Sequence, residues 1–113
     1  MLNKLAKKIH ENAKAHGFWD EPRNDGECIA LMHSELSEAL EYIRSTDEPF
    51  KEWTRCTINN QMPDKPLGVH EEMADVIIRV LDYCAARGID IEKAVNMKMK
   101  YNEARPFKHG KKF

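Results

Sequence analysis

Apolar residues recur every three or four positions through four segments of this chain, and no segment shows the alternation of a half-buried strand. An α-helix turns about 100° per residue, so this spacing places the apolar side chains on one face of a helix. The predicted helices run from Leu2 to His16, from Asp25 to Arg44, from Val69 to Arg87, and from the N-cap Asp90 to just before Pro106. The sequence therefore predicts an all-α fold of four main helices.

The length of 113 residues suits a single domain, 1–113, with a modest core that association between copies would enlarge. Residues 45–67 form a proline-containing insert between the second and third helices, which we expect to be irregular. Residues 106–113 form a basic tail.

The charge balance excludes several classes of partner. Lys and Arg number 18 against 19 Asp and Glu, a net charge of -1, which argues against a nucleic-acid or anionic-membrane surface.

No apolar run approaches the roughly 20 residues of a membrane span, and the N-terminal segment lacks the features of a signal peptide. Cys28, Cys56 and Cys84 are odd in number and widely spaced, so we expect free thiols and a cytoplasmic location.

Two acidic pairs carry most of the functional information. Glu35 and Glu38 lie on the second predicted helix, and Glu72 and Asp75 lie on the third. A step of three residues rises about 4.5 Å, so each pair places two carboxylates on one face, one turn apart. Four carboxylates brought together would repel, and the cation that such oxygen ligands suit is Mg²⁺.

The second and third helices each carry an apolar stripe beside an acidic face. The stripe predicted to enter the core from the second helix is Ile29, Met32, Leu36, Ala39, Leu40 and Ile43. Leu31 and Tyr42 bracket the two glutamates on another face, which indicates a lined cavity. On the third helix the predicted core stripe is Met73, Val76, Ile77, Val80, Leu81 and Cys84, and the acidic face holds Glu72, Asp75, Arg79 and Asp82. Ile78 is expected opposite the acidic face, where it would meet another subunit.

The fourth helix has a stripe that changes character along its length. It begins apolar with Ile91, Ala94 and Val95 and continues at helical steps as Lys98, Asn102 and Arg105. A stripe that turns basic predicts an anionic group against its second half. The alternative is that these residues are ordinary helix-end cations favoured by the helix dipole.

Each of these patterns also has a plainer interpretation. A single E-x-x-E pair is usually solvated helix surface, Asp75 could pair with Arg79 four residues on, and Glu71 could replace Glu72. A di-iron carboxylate bundle would need Glu-x-x-His motifs, which the chain lacks. A non-catalytic helical module for protein interaction or regulation would explain the amphipathic helices but not the coincidence of acidic faces with a basic stripe.

Three motifs in order resemble the MazG-like all-α nucleoside triphosphate pyrophosphohydrolases. They are Glu35-Leu-Ser-Glu38, then Glu72-Met-Ala-Asp75, then the set Lys98, Asn102 and Arg105. Similar surrounding strings, such as HSELSEALE and KYNEARPFKHGKKF, extend the resemblance from about Asn24 onward. One departure is a longer gap between Glu38 and Glu72 than the family's usual spacing, filled by the insert.

The resemblance implies a four-helix bundle of the MazG-like type that hydrolyses a nucleoside triphosphate to the monophosphate and pyrophosphate. Mg²⁺, with Mn²⁺ as a substitute, would be held by Glu35, Glu38, Glu72 and Asp75, and Glu38 would also be the general base. The set Lys98, Asn102 and Arg105 would bind the phosphates. Trp19 and Phe18 would either stack on the base or pack the N-terminal helix onto the bundle. The resemblance also implies a homodimer or homotetramer with helices shared between subunits.

Overall fold

The structure is a computed structural model that describes residues 1–55 and 62–113. Its four long helices are α1 (Leu2–Ala15), α2 (Asp25–Ser45), α3 (Val69–Ala86) and α4 (Ile91–Glu103), followed by a short 3-10 turn, Phe107–Gly110. The predominantly helical fold predicted from the sequence is confirmed, and each helix ends within a few residues of its predicted bounds.

Local signals explain where the helices begin and end. The Asn24 side chain accepts a hydrogen bond from the Glu27 amide, and Asp90 accepts one from the Lys93 amide, so both act as N-caps. Gly17 and Gly88 follow α1 and α3 with positive φ angles of 85° and 68°, a conformation that ends helices and favours glycine.

The insert contains a small antiparallel sheet that the sequence analysis did not predict. Strand β1 (Trp53–Arg55) pairs with β2 (Lys65–Leu67), and Trp53 lies opposite Leu67. Pro66 made this stretch look irregular, but proline is tolerated in a strand at the edge of a sheet, and a two-stranded sheet has only edges. The expectation of an irregular insert was therefore wrong for these two segments.

Helix α3 is the centre of the chain, because both α1 and α2 pack along it. Helix α4 packs chiefly on the start of α1, where Asn3 bonds to Asp90 and to the Glu92 amide. The radius of gyration is 17.1 Å, against about 13 Å for a compact domain of this length. One chain is therefore more open than a closed four-helix bundle.

The core is small. The buried apolar residues among those described are Ala6, Cys28, Ala39, Leu81 and Cys84, and only Leu81 is large. Cys28 and Cys84 are free thiols, whereas Cys56 lies outside the described residues. Within the described ranges, no helix combines the length and apolar character that crossing a bilayer requires.

Only part of the predicted core stripe of α2 enters the core of one chain. Ala39 is buried as predicted, whereas Ile29, Leu36, Leu40 and Ile43 are all more than 40% exposed. The other buried residues of α2 are Cys28 and Glu35. On α3, Met73 and Ile77 are similarly exposed. We call these six residues the open apolar stripes. Helix α2 has apolar side chains both on its predicted core face and on the face that carries the glutamates. In one chain the glutamate-bearing face packs on α3.

Candidate metal centre

Three carboxylates meet where α2 packs on α3. Glu35, Glu38 and Glu72 each bring one oxygen to within 4.8 Å of the other two. Glu35 and Glu38 come from one face of α2 because they are three residues apart, and Glu72 comes from the first turn of α3. The structure thus unites one predicted pair with the first member of the other.

Glu35 is the deepest member of this acidic cluster. Its residue is only 6% exposed, and Arg79 Nε donates to its Oε1 at 2.6 Å. Burial by itself would raise the pKa of Glu35, but the Arg79 ion pair and hydrogen bonds with Glu72 and Glu38 outweigh burial and lower it. Glu35 is therefore ionised, and Arg79 is its counter-ion in the metal-free protein.

Glu72 is short of partners. Burial, followed by its hydrogen bonds with Glu35 and Glu38 and their charges, raises the pKa of Glu72 from 4.5 to about 8. Its Oε2 is buried and has no hydrogen-bond partner in the described part of the chain. At neutral pH Glu72 accordingly holds a proton, and this proton occupies a place that a cation could take.

Asp75 lies next to the cluster but outside the group of three oxygens. It is half-buried, and burial, then the charges of Glu35 and Glu71, raise its pKa. Arg79, the partner that the plainer alternative gave to Asp75, forms its ion pair with Glu35 instead. Asp75 lines the cavity beside the cluster, and Glu35 lines the same cavity.

Glu71 and Glu72 point in different directions. Lys65 Nζ of strand β2 lies 2.6 Å from Glu71 Oε1, whereas Glu72 joins Glu35 and Glu38. Of these two neighbours, it is thus Glu72 that faces the acidic cluster, as the three-residue spacing to Asp75 favours.

A cavity of about 440 Å³ opens beside the cluster, between α1 and α3. Its acidic wall includes Glu35, Asp75 and Asp82, and its other wall includes Phe18 and Arg23. Ile78 also lines it, because Ile78 is three residues from Asp75 and four from Asp82 and so shares their face. The expectation that Ile78 points away from the acidic face was wrong.

The importance of Asp82, which is 8% exposed, was not evident from the sequence. Both of its oxygens accept the Trp19 indole N–H at 3.0 Å, and its Oδ1 lies 2.7 Å from His10 Nδ1. The Trp19 and His10 rings meet edge to face, with centroids 5.2 Å apart. These contacts tie α1 and its following turn to α3. The only sequence signal was the position of Asp82 on the same face as Asp75.

The two aromatic residues after α1 have different surroundings. Trp19 lies on Asp82 and His10 and borders a void of only about 20 Å³. Phe18 is 64% exposed and lines the 440 Å³ cavity. Of the two, Phe18 is thus better placed to meet a bound molecule in that cavity.

The basic stripe of α4 lies apart from the acidic cluster in one chain. Lys98 and Arg105 are positioned over the Tyr101 ring, 4.7 and 5.5 Å from its centroid. Asn102 and Arg105 line a second cavity, which the C-terminal tail completes. Within a single chain the structure therefore brings together the acidic residues but does not bring Lys98, Asn102 or Arg105 to them.

The acidic cluster thus joins a buried ionised glutamate, a protonated glutamate and an exposed glutamate beside a cavity large enough for a small molecule. Comparison with models of known protein families, with curated proteins and with solved structures found no match for this chain.

Proposed function

We propose that this protein is a Mg²⁺-dependent nucleoside triphosphate pyrophosphohydrolase that cleaves between the α- and β-phosphates. The observation that carries the proposal is the meeting of Glu35, Glu38 and Glu72 within 4.8 Å, with a buried Glu72 oxygen that has no partner among the described residues. A buried polar atom without a hydrogen-bond partner is rare in folded proteins, so this oxygen indicates a site that a ligand completes. An all-oxygen acidic donor set suits Mg²⁺, or Mn²⁺ in its place.

In this proposal Glu35, Glu38 and Glu72 hold the metal, and Asp75 joins them from the cavity side. When bound, Mg²⁺ neutralises phosphate charge and lowers the pKa of a water molecule. Glu38 is the exposed member of the cluster, so it is the carboxylate with most freedom to accept a proton from an attacking water. No covalent intermediate is needed, because positioning and electrostatics can supply the catalysis.

The 440 Å³ cavity is the proposed place for the nucleoside. Phe18 offers an exposed aromatic ring for a base, and Arg23 on the same wall offers a cation for the phosphates. The sequence-predicted role of Trp19 as a stacking residue remains a prediction. Its indole N–H is engaged by Asp82, so we assign it here to holding the wall behind the cavity.

The phosphate-binding set Lys98, Asn102 and Arg105 is proposed to come from a second copy of the chain. The open apolar stripes support this, because six large apolar side chains on α2 and α3 remain exposed in one chain. The accessible surface is 9160 Å², whereas a monomer of 13.1 kDa typically exposes about 6400 Å². A homodimer, or a homotetramer built from dimers, would cover the stripes and bring α4 of one copy near the cluster of the other.

The proposal is tested by product analysis across a panel of nucleoside triphosphates with Mg²⁺. We expect monophosphate and pyrophosphate as first products for at least one substrate. Orthophosphate with nucleoside diphosphate would show that a different bond is cleaved, and no turnover across the panel would refute the activity.

Neutral variants test the ligands. Glu35→Gln, Glu38→Gln, Glu72→Gln and Asp75→Asn should each lose most of the activity, because each loses a charge with little change in volume. Glu71→Gln is the matched control, since Glu71 is paired with Lys65 outside the cluster. If Glu71→Gln is inactive and Glu72→Gln keeps wild-type activity, the site contains Glu71 and our assignment of Glu72 is wrong.

A second candidate function is a non-catalytic module that binds a protein partner, which the open apolar stripes also favour. Calorimetry separates the two proposals. A pyrophosphohydrolase should show Mg²⁺ binding that depends on Glu35 and Glu72, whereas an interaction module should show none.

A further inference from the structure

Helix α3 begins directly after a glycine that has no room for a side chain. Gly68 has φ 72° and ψ -141°, and a positive φ favours glycine. A methyl group added to its Cα would lie 2.6 Å from Cζ and 2.7 Å from Cε1 of the Tyr42 ring. Carbon atoms in ordinary contact are about 3.5–4.0 Å apart. The Tyr42 ring therefore packs directly on the backbone at Gly68.

This contact lies beside the acidic cluster on both helices. Tyr42 is four residues after Glu38 and seven after Glu35, so it continues the glutamate-bearing face of α2 by one turn. On α3, the Glu72 amide donates to the Gly68 carbonyl at 3.1 Å, so Gly68 begins the turn that carries Glu72. The contact between Tyr42 and Gly68 therefore sets how closely this turn approaches the two glutamates of α2.

The other end of the contact between α2 and α3 is fixed separately. Arg87 Nε donates to Asp25 Oδ1 at 2.6 Å. Asp25 is the first residue of α2 and Arg87 follows the last residue of α3, so the two helices run antiparallel. Tyr42 and Gly68 make the contact at the opposite end, and Glu72 lies one turn from Gly68. The position of Glu72 is thus controlled chiefly from the end that Tyr42 and Gly68 form.

The acidic cluster is costly to assemble without a cation. Glu72 brings one oxygen to within 4.8 Å of two other carboxylates, and its buried Oε2 has no partner among the described residues. Grouping acidic side chains and leaving a buried oxygen unpaired both cost free energy. A costly local arrangement persists when the surrounding structure over-determines it. The packing of Tyr42 on Gly68 is uncharged, so it can hold the turn whether or not a cation is bound.

We propose that Tyr42 and Gly68 are positioning residues, which hold the first turn of α3 where Glu72 can bind a cation together with the glutamates of α2. Tyr42 acts through its ring, and Gly68 acts by having no side chain. The inference rests on the metal centre of the proposed function but not on its substrate or on the bond that is cleaved. Ligands must be held within about 0.5 Å of their productive geometry, so a side chain forced between Tyr42 and α3 should weaken the site.

The test is calorimetric titration of the full chain with Mg²⁺ without nucleotide, under conditions where urea denaturation shows each variant to be folded. Gly68→Ala should bind Mg²⁺ at least about tenfold more weakly than wild type. The matched control is Gly88→Ala, because Gly88 also has a positive φ, of 68°, and no described atom lies within 4 Å of the added methyl group. Gly88→Ala should lose stability through its strained backbone but bind Mg²⁺ within about twofold of wild type.

Changes at Tyr42 separate the effect of the ring from that of the strained backbone. Tyr42→Ala removes the support of the first turn of α3 and should also weaken Mg²⁺ binding by about tenfold. Tyr42→Phe keeps the ring and should bind within about twofold of wild type. The double variant Gly68→Ala, Tyr42→Ala has no overlap, so it should bind no more weakly than Tyr42→Ala alone. If Gly68→Ala does not fold, Tyr42→Ala and Tyr42→Phe decide the question.

Three results would overturn the inference. Gly68→Ala and Gly88→Ala could weaken Mg²⁺ binding equally, Tyr42→Ala could bind as wild type does, or the wild type could bind no Mg²⁺. Mg²⁺ binding that depends on Tyr42 and Gly68, without hydrolysis of any nucleoside triphosphate, would uphold this inference and refute the proposed activity. Pyrophosphate release with unchanged Mg²⁺ affinity in Gly68→Ala and Tyr42→Ala would do the opposite.

Discussion

The single proton on Glu72 makes the contribution of the acidic cluster to stability depend on pH. The pKa of Glu72 rises from 4.5 in the unfolded chain to about 8 in the folded one. Between these values the folded state keeps a proton that the unfolded state has lost. The contribution of this group to the free energy of unfolding is therefore fully present below about pH 4.5 and is lost as the pH rises toward 8.

The affinity for Mg²⁺ should consequently depend on pH. A cation that binds Glu72 displaces its proton, so affinity should rise by up to about tenfold per pH unit from pH 6 and level off above about pH 8. Calorimetry at pH 7 in two buffers of different ionisation enthalpy should detect the release of close to one proton. Glu72→Gln is the control and should release none. A constant affinity between pH 6 and 8 would contradict this account of Glu72.

Arg79 should compete with the metal for Glu35. In Arg79→Gln the buried Glu35 carboxylate loses its counter-ion, so the metal-free protein should be less stable to urea by about 1–2 kcal/mol. The loss should be smaller than for a fully buried pair, since the Arg79 side chain is 35% exposed. Mg²⁺ should bind this variant more tightly than wild type and restore part of the stability.

A matched control for Arg79 is Arg44→Gln, because Arg44 pairs with Glu41 on the surface, where both side chains are 70% exposed. No measurable change is expected there. If Arg79→Gln instead binds Mg²⁺ more weakly, the guanidinium assists the metal rather than competing with it.

At the scale of the elements, α4 should serve the acidic cluster of another copy. Glu72→Gln and the double variant Lys98→Ala, Arg105→Ala should each be inactive as purified proteins. In a mixed dimer one active site would carry both defects and the other site would be intact. Random exchange of equal amounts makes about half of the dimers mixed, so the mixture should regain about a quarter of wild-type activity.

The control for this mixing experiment pairs Glu72→Gln with Glu35→Gln. Both changes lie in the acidic cluster, so every site in a mixed dimer keeps one defect and no activity should return. Failure of the first mixture to recover, with exchange verified by mass spectrometry, would show that the basic stripe does not act across subunits.

The helices were predictable because their signals are local. The caps Asn24 and Asp90 and the stop Gly88 act on neighbouring residues, and the spacing of the acidic pairs placed Glu35 and Glu38 on one face without knowledge of any other helix. The choice of Glu72 over Glu71 likewise followed from helical spacing to Asp75.

The features that sequence did not reveal depend on distant partners. The contact of Trp19 with Asp82 joins residues 63 positions apart, and the pairing of β1 with β2 joins segments that local composition marked as irregular. The orientation of α2 was missed for a different reason. Two of its faces carry apolar groups, so the apolar pattern could not decide which face would pack on α3 and which would stay open.

For the whole molecule, the open apolar stripes should control association. Leu40 is 56% exposed in one chain, so Leu40→Glu should leave the monomer folded while placing a charge in the proposed interface. Sedimentation should show an oligomeric wild type and a monomeric Leu40→Glu. Met97→Glu changes a comparably exposed residue of α4, at 62%, and should remain oligomeric. A wild type that is monomeric at every concentration would refute the association.

The pairing of β1 with β2 has a consequence for how sequences of this kind can vary. Because Arg55 lies opposite Lys65, the two ends of the intervening segment are held side by side, whatever its length. Residues could be gained or lost there without changing the approach of α2 to α3, since the entropy of closing a loop grows only slowly with its length. The sheet therefore allows the length of the insert to change in evolution without affecting the acidic cluster. The long gap between Glu38 and Glu72 is compatible with the same contact between their side chains.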